Sequence, residues 1–330
     1  MSFRAAVIGC GKIGSEFAVD PRMKSIHTHA GAYAACPKTA LVAICDIDPV
    51  KLARCGERWN VAARYSDARE LLEAEKPQIV SVCTPDNTHY ELICAILETP
   101  GVRAILAEKP LAMSLEQANA IVDLANRSRV VLAVNYSRRY AKDYLSLKEM
   151  IRSGQIGKVQ TIGGYYSKGT LHNGTHWFDL ARFLIGEITR VWGFDTLKEG
   201  GDDPTFDAVL EFDDGINAHL QGCQAAAFSL FEMDLIGTHG RIRIVESGQA
   251  FEIYEVAESP YYSGYRVLVL THRVEGGMQD VLLHAVEDIV HCLTTGSEPR
   301  CSGADGVAAL DIGHAVRESA RTKRPVTLSR

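Results

Sequence analysis

The sequence predicts an α/β chain in two parts: a Rossmann-type, doubly wound parallel sheet, then an α/β domain with an open, mostly antiparallel sheet. Three observations carry this. Five short, near-continuous apolar segments alternate with helical ones up to residue 134, as strands buried on both faces of a parallel sheet do. The first of them runs straight into Gly9-Cys10-Gly11-Lys12-Ile13-Gly14. Beyond residue 135, strand-like segments follow one another through short glycine turns, which is hairpin grammar. A chain of 330 residues exceeds one comfortable core, so we expect a dinucleotide-binding domain over 1–134 and a substrate-binding and oligomerisation domain over 135–330.

Taken in order, residues 3–8 (Phe-Arg-Ala-Ala-Val-Ile) form the first strand, and 40–45 the second, which stops at Asp46. The third, 78–83, ends at Thr84-Pro85, the fourth, 102–107, at Glu108-Lys109-Pro110, and 130–134 is the fifth. Asp48 reads as a helix cap. Pro85 and Asp86 suit the first turn of a helix running through His89 to Leu97. Ser114 with Gln117 makes a capping box for 115–126. In the second part we expect a helix over 142–153 stopped by Gly154, a strand near Val159 and a helix over 174–185 closed by Gly186. Strands over 205–212, 216–223, 229–237, 241–246 and 250–256 follow, then helices over 278–294 and 304–321.

Composition narrows the function classes. Apolar residues are 46% and charged ones 23% of the chain, as in an ordinary globular protein. A net charge of −6 gives no basic footprint, so neither nucleic acid nor an anionic membrane is an expected partner. No apolar run is long enough to cross a bilayer, and Met1-Ser2-Phe3-Arg4 leads into a strand without a secretory pattern. The nine cysteines are scattered singly with no C-x-x-C pair, which suggests neither a zinc site nor a disulfide framework. A reducing cytoplasm is expected.

Gly9, Gly11 and Gly14 sit where the dinucleotide fingerprint needs them, after a first strand and ahead of a helix. Gly9 permits the tight turn, Gly11 lets the backbone approach a pyrophosphate, and Gly14 allows close helix packing. The ordinary alternative is a glycine turn with no ligand. Asp46 ends the second strand, where a carboxylate can accept hydrogen bonds from the adenosine ribose and repel the extra phosphate of NADP. NAD is therefore the expected cofactor and NADP the less expected one. The spacing from Gly14 to Asp46 is longer than usual, and 15–28 reads as an insertion, either a lid over the pyrophosphate or a plain surface loop.

Lys109 lies at the carboxyl edge of the parallel sheet, where such folds bind ligands; most lysines are merely solvated. A cis Pro110 would aim it into the crevice. The segment Lys168-Gly169-Thr170-Leu171-His172-Asn173-Gly174-Thr175-His176 leads into an amphipathic helix on which Trp177, Leu180, Ala181 and Leu184 share one stripe. His176 borders that stripe, with Asp179 one turn on, a place where histidines are usually structural. His172 and His176 have the spacing of a metal pair, but no third ligand beyond Asp179 is near, so no metal is expected.

Together the glycine fingerprint, Asp46, Thr84-Pro85 with His89, Glu108-Lys109-Pro110 and the turn into His176-x-x-Asp179-Leu180 resemble the Gfo/Idh/MocA oxidoreductases over nearly the whole chain. The resemblance implies an NAD(P)-dependent dehydrogenase acting on a carbinol of a sugar, inositol or sugar nucleotide, bound between the domains. It implies cofactor contacts from Gly9, Gly11, Lys12, Ile13, Gly14, Asp46, Thr84, Pro85, Asn87, His89, Glu108 and Lys109. Lys109 would hydrogen-bond the reacting oxygen with His176 as its partner. Many members carry an aspartate four residues before that histidine; here His172 stands in the place, which opens the question of which group takes the proton. Substrate contacts would come from Lys109, Tyr136, Arg138, Lys168, His172, Asn173 and His176. Arg138 and the neighbouring Arg139 have a surface salt bridge as their alternative. A homodimer or homotetramer is implied. Two rivals stay open: a sugar hydrolase or lyase that keeps NAD bound and works by transient oxidation and elimination, and a non-catalytic NAD-binding sensor.

Overall fold

The computed structural model describes residues 2–328. The chain divides into one unit comprising residues 1–141 and 279–307 and another comprising 142–278 and 308–330. The expected single division at 134/135 thus lacks one feature: residues 279–307 return to the first unit.

In that unit six strands form one parallel sheet. They are β1 (Phe3–Ile8), β2 (Thr39–Cys45), β3 (Ala63–Tyr65), β4 (Ile79–Val82), β5 (Ala104–Ala107) and β6 (Val131–Val134). Their order is β3-β2-β1-β4-β5-β6, the doubly wound order whose ligand crevice lies at the carboxyl edge. The helices are α1 (His29–Ala35), α2 (Pro49–Trp59), α3 (Ala68–Glu75), α4 (His89–Leu97) and α5 (Leu115–Ser128). Side chains fix their starts. Asp48 accepts from the Val50 and Lys51 N–H groups, Asp67 from those of Arg69 and Glu70, and Ser114 from that of Gln117, each supplying an orphan donor of a first turn.

Register turns sequence into position. Cys45, Ile8, Val82, Ala107 and Val134 pair across the sheet as one row. The next residue on each strand, Asp46, Gly9, Cys83, Glu108 and Asn135, therefore stands along the carboxyl edge.

The turn after β1 carries the insertion expected over 15–28, although the glycine turn does not itself open a helix. No α-helix follows Gly14 directly; a 3₁₀ turn over Glu16–Val19 opens an excursion, and α1 starts at His29 with Thr28 as its cap. Yet the His29 N–H donates to the Ile13 carbonyl at 3.1 Å and that of Ala30 to Gly14 at 3.0 Å. In an unbroken helix those donors would be the fourth residues after their acceptors. The helix is stitched across twelve extra residues. Without them Asp46 would follow Gly14 at the fingerprint's ordinary spacing of about twenty residues.

The second unit holds a nine-stranded sheet: β7 (Val159–Tyr166), β8 (Ile188–Phe194), β9 (Asp207–Phe212), β10 (Asn217–Gly222), β11 (Phe231–Gly237), β12 (Gly240–Val245), β13 (Ala250–Glu258), β14 (Arg266–Glu275) and β15 (Val326–Thr327). The order is β14-β13-β12-β11-β7-β10-β9-β8-β15, and only the β7–β10 pair is parallel. The expected succession of neighbouring hairpins fails once: β7 lies between β10 and β11, so the segment joining those two is a crossover. Helices α6 (Lys142–Arg152) and α7 (Thr175–Leu184) lie in this unit; α8 (Val281–Thr295) belongs to the first, and α9 (Gly303–Thr322) follows it. Trp177, Phe178, Leu180 and Ala181 of α7 are buried, and Gly164 of β7 leaves room for the indole: a Cβ there would come within 2.4 Å of Trp177 Nε1.

Candidate active site and dinucleotide cavity

At the carboxyl edge of the parallel sheet lies a cavity of about 1050 Å³, at the upper end of small-molecule sites. Of the residues expected to hold a dinucleotide, Gly9, Gly11, Lys12, Ile13, Asp46, Thr84 and Pro85 line it together. The three glycines do different work. Gly9 has φ +99°, and a Cβ there would meet the Cys83 backbone at 2.6 Å; a Cβ at Gly14 would lie 2.0 Å from the Gly9 carbonyl oxygen. A Cβ at Gly11 would meet nothing within 4 Å. Protein packing therefore dictates Gly9 and Gly14, while the bare backbone of Gly11 opens onto the cavity, as a pyrophosphate cradle requires.

Asp46 is fixed by the same turn. Its Oδ2 accepts the Cys10 N–H at 2.7 Å and its Oδ1 the Asp48 N–H at 2.8 Å. Each oxygen keeps a further lone pair for a ribose hydroxyl. The residues present thus fit an NAD adenosine. Replacing Asp46 with Ser removes the carboxylate, and the preference for NAD over NADP is expected to fall about 10- to 100-fold, the worth of one charged hydrogen bond. The ratio of kcat/KM values for the two cofactors measures it.

Five of the expected cofactor contacts, Gly14, Asn87, His89, Glu108 and Lys109, do not line the cavity. His89 is wholly buried, its Nδ1 facing the Pro110 carbonyl at 2.8 Å and its Nε2 the Thr84 carbonyl at 3.0 Å. It braces the two strand-end loops from below rather than touching the cavity. Asn87 is exposed on its turn and outside the cavity wall. The cavity also takes in Phe17, Ile47, Lys51, Ser66 and Arg69, which the sequence reading left out. Phe17 comes from the excursion, so that segment contributes to the wall of the site.

Along the same edge, Glu108 and Lys109 are both half-buried and the Lys109–Pro110 peptide is cis. Glu108 Oε1 accepts from Asn135 Nδ2 at 2.6 Å and lies 2.9 Å from His29 Nε2. Burial pushes the Glu108 carboxyl up, but the hydrogen bonds from His29 and Asn135 and the Lys109 charge outweigh it and hold it below the ordinary range. Tyr136 is buried and Arg138 half-buried just past β6. Arg139 pairs with Asp305 at 3.0 Å, an ion pair as its alternative has it, but nearly buried and not at the surface.

In the second unit, residues Gly169–Gly174 form a π-helical turn ahead of α7, entered through Lys168 at φ +72°. Asp203 pins this turn, its carboxylate accepting from the Leu171 and His172 N–H groups at 2.8 Å each. The turn brings Lys168, His172, Asn173 and His176 onto one short stretch, with Lys168 and His172 exposed and Asn173 and His176 half-buried. The Asn173 amide donates to the Ser167 carbonyl at 2.8 Å, which gives it a loop-closing role. Asp203 carried no local motif and could not have been found from the sequence.

Comparison with known proteins places these features in a family. Residues 3–136 match the Gfo/Idh/MocA model described as an oxidoreductase family with an NAD-binding Rossmann fold, and residues 144–243 match the family's C-terminal domain. The chain is 25% identical to a myo-inositol 2-dehydrogenase from Thermotoga maritima, with 98% of each covered. It is 26% identical to a D-apiose dehydrogenase from Paraburkholderia graminis, over 99% of this chain and 90% of that one. Among solved structures, the WlbA dehydrogenase from Bordetella pertussis, in complex with NADH and UDP-GlcNAcA, superposes over the full length of both chains with a TM-score of 0.79 at 18% identity.

Proposed function

Because the chain belongs to the Gfo/Idh/MocA family of oxidoreductases, we propose that it transfers a hydride between NAD and a carbinol of a polyhydroxylated ring, a sugar or cyclitol, with Lys109 and His176 serving the hydroxyl proton. The observation that carries this is the carboxyl edge itself: the register that sets Gly9 and Asp46 at the cavity sets Glu108 and Lys109 on the same edge. Full-length relatives named for inositol and apiose oxidation support the substrate class.

In this reading the bare Gly11 backbone holds the pyrophosphate, Asp46 binds the ribose, and Thr84 and Pro85 wall the cavity. NAD when bound supplies the hydride acceptor. Lys109 donates hydrogen bonds to the substrate oxygen and stabilises its developing negative charge, while His176, or His172 in the place of the family's aspartate, accepts the proton. Lys168 is a candidate contact for further hydroxyls.

No helix among the described residues is long and apolar enough to cross a membrane. We place the protein in the cytoplasm, which its nine free thiols support. We also propose a homodimer or homotetramer: Val269 and Leu270 on β14 are 44% and 46% exposed, and a second copy would cover them. Light scattering of the purified protein tests this; a monomer at micromolar concentration overturns it.

The decisive experiment is a panel of inositols, aldoses and sugar nucleotides with NAD, followed at the reduced-nicotinamide absorbance. Substrate-dependent reduction of exchangeable NAD is expected. Turnover of a glycoside with no net reduction would move the assignment to an elimination mechanism, and failure to bind NAD would overturn it.

A further inference from the structure

A line of buried polar side chains in the first unit leads to the carboxylate beside Lys109. The Tyr33 hydroxyl lies 2.8 Å from Ser81 Oγ, Ser81 Oγ 2.8 Å from His29 Nδ1, and His29 Nε2 2.9 Å from Glu108 Oε1. Tyr33, Ser81 and His29 have no solvent exposure, so every bond in the line matters. The chemistry sets one direction. A carboxylate only accepts, so Nε2 donates to Glu108, and a ring donating there accepts at Nδ1. Ser81 then donates to the ring and accepts from Tyr33. The other order, with both ring nitrogens donating, would have Ser81 Oγ accept from the ring and leave one of the two hydroxyl hydrogens, that of Ser81 or of Tyr33, without an acceptor in the line.

His29 has a second connection. Its backbone N–H donates to the Ile13 carbonyl at 3.1 Å, inside the glycine turn. One residue is thus bonded through its main chain to the cofactor turn and through its ring to the carboxylate next to Lys109. We propose that His29 is a positioning residue: the Tyr33–Ser81–His29 relay locks the Glu108 carboxylate, and with it the electrostatic field at Lys109, to the dinucleotide turn. This rests on the reading of Lys109 as the group that serves the hydroxyl proton.

The titratable groups facing Glu108 are His29 from α1, Lys109 at the end of its own strand, and the Cys83 thiol from the end of β4; the Asn135 amide completes its surroundings. With the imidazole in place the carboxylate stays charged beside Lys109. Without it, burial is opposed less and Glu108 takes up a proton at higher pH. The depressed carboxyl contributes stability above its unfolded pKa, and that stability is lost as pH falls through the folded value. Raising the folded value towards the unfolded one shrinks that loss, so stability depends less on pH across the acid range.

The test compares wild type, His29→Phe, His29→Gln and Ser81→Ala by two readouts: the pH profile of kcat/KM with saturating NAD, and Tm against pH for the cofactor-free protein. His29→Phe is expected to move the acid limb up by about one pH unit and to lower kcat about 10- to 100-fold. In the same variant Tm should be lower near neutrality and should fall less on acidification than in wild type. His29→Gln, whose amide can still donate to Glu108, is expected to recover most of kcat and of both profiles. Profiles of His29→Phe that superimpose on wild type, or a glutamine variant no better than the phenylalanine one, would overturn the relay. Should His29→Phe fail to fold, Ser81→Ala removes one oxygen and is expected to shift the profiles the same way by less; unshifted profiles overturn the proposal equally. If wild type oxidises no sugar, the assigned reaction fails, while the Tm–pH comparison still decides the relay.

Discussion

Replacing Lys109 with methionine is expected to lower kcat and kcat/KM together by about 100- to 10,000-fold, the range for removing a group that acts on a proton in the transition state. The substitution keeps an unbranched side chain at a half-buried position and removes only the ammonium. NAD affinity should stay within about twofold, because the cavity that holds the adenosine is lined by other residues. Initial rates with the best substrate of the panel, alongside NAD titration by fluorescence, separate the two effects. A variant that loses NAD binding and rate in parallel would show that Lys109 supports the fold of the edge and not the chemistry. The loss of its charge also removes one of the influences that hold the Glu108 carboxyl low, so Glu108 should titrate at higher pH in this variant.

Gly14→Ala is expected to be the most damaging change in the cofactor domain, and for a reason distinct from binding. The new Cβ would lie 2.0 Å from the Gly9 carbonyl oxygen and 3.0 Å from its carbon, and backbone in a strand-to-turn junction cannot yield as a side chain can. A loss of about 3 kcal/mol is expected, seen as a fall in Tm of about 6–12 °C. Gly11→Ala makes the instructive contrast. Its Cβ meets no protein atom within 4 Å, so Tm should be unchanged while NAD binds at least about tenfold more weakly, a loss of about 1.4 kcal/mol. Equal loss of stability in both variants would mean that the turn needs glycine for conformation alone.

The legible parts of the fold were those where one element satisfies several requirements locally. The buried strands of the parallel sheet read as apolar runs because both faces are covered, and the caps at Asp48 and Ser114 read because one side chain serves its own first turn. What escaped depended on distant partners. β3 is only three residues long and carries Arg64, so it offers no pattern. β8 contains Gly193, which a strand reading disfavours; a Cβ there would strike the Val316 carbonyl oxygen at 2.0 Å, so the glycine answers a helix more than a hundred residues away. β14 is exposed along nearly its whole length and shows no alternation. The crossover that puts β7 beside β10 leaves no local trace at all.

The candidate site divides in the same way. Glycines, Asp46 and Lys109 announce themselves because each sits at the end of a recognisable strand. His89 was readable as part of the site but not as a buried brace, since the groups its ring faces are backbone carbonyls of loops that meet only in the folded chain. The relay through Ser81 and Tyr33 was invisible because a serine inside an apolar strand and a tyrosine inside a helix look like packing until their oxygens are placed.

The stitched start of α1 has a consequence for how this chain can vary. Its two bridging hydrogen bonds join the ends of the excursion irrespective of what lies between, so the length of the intervening segment is thermodynamically almost decoupled from the nucleotide turn: each doubling of a flexible loop adds only about 0.6 kcal/mol. What the architecture conserves here is helical phase, not residue count. The segment behaves as an exchangeable cassette in the wall of the cofactor site, free to change in length and composition so long as the chain re-enters in phase at His29.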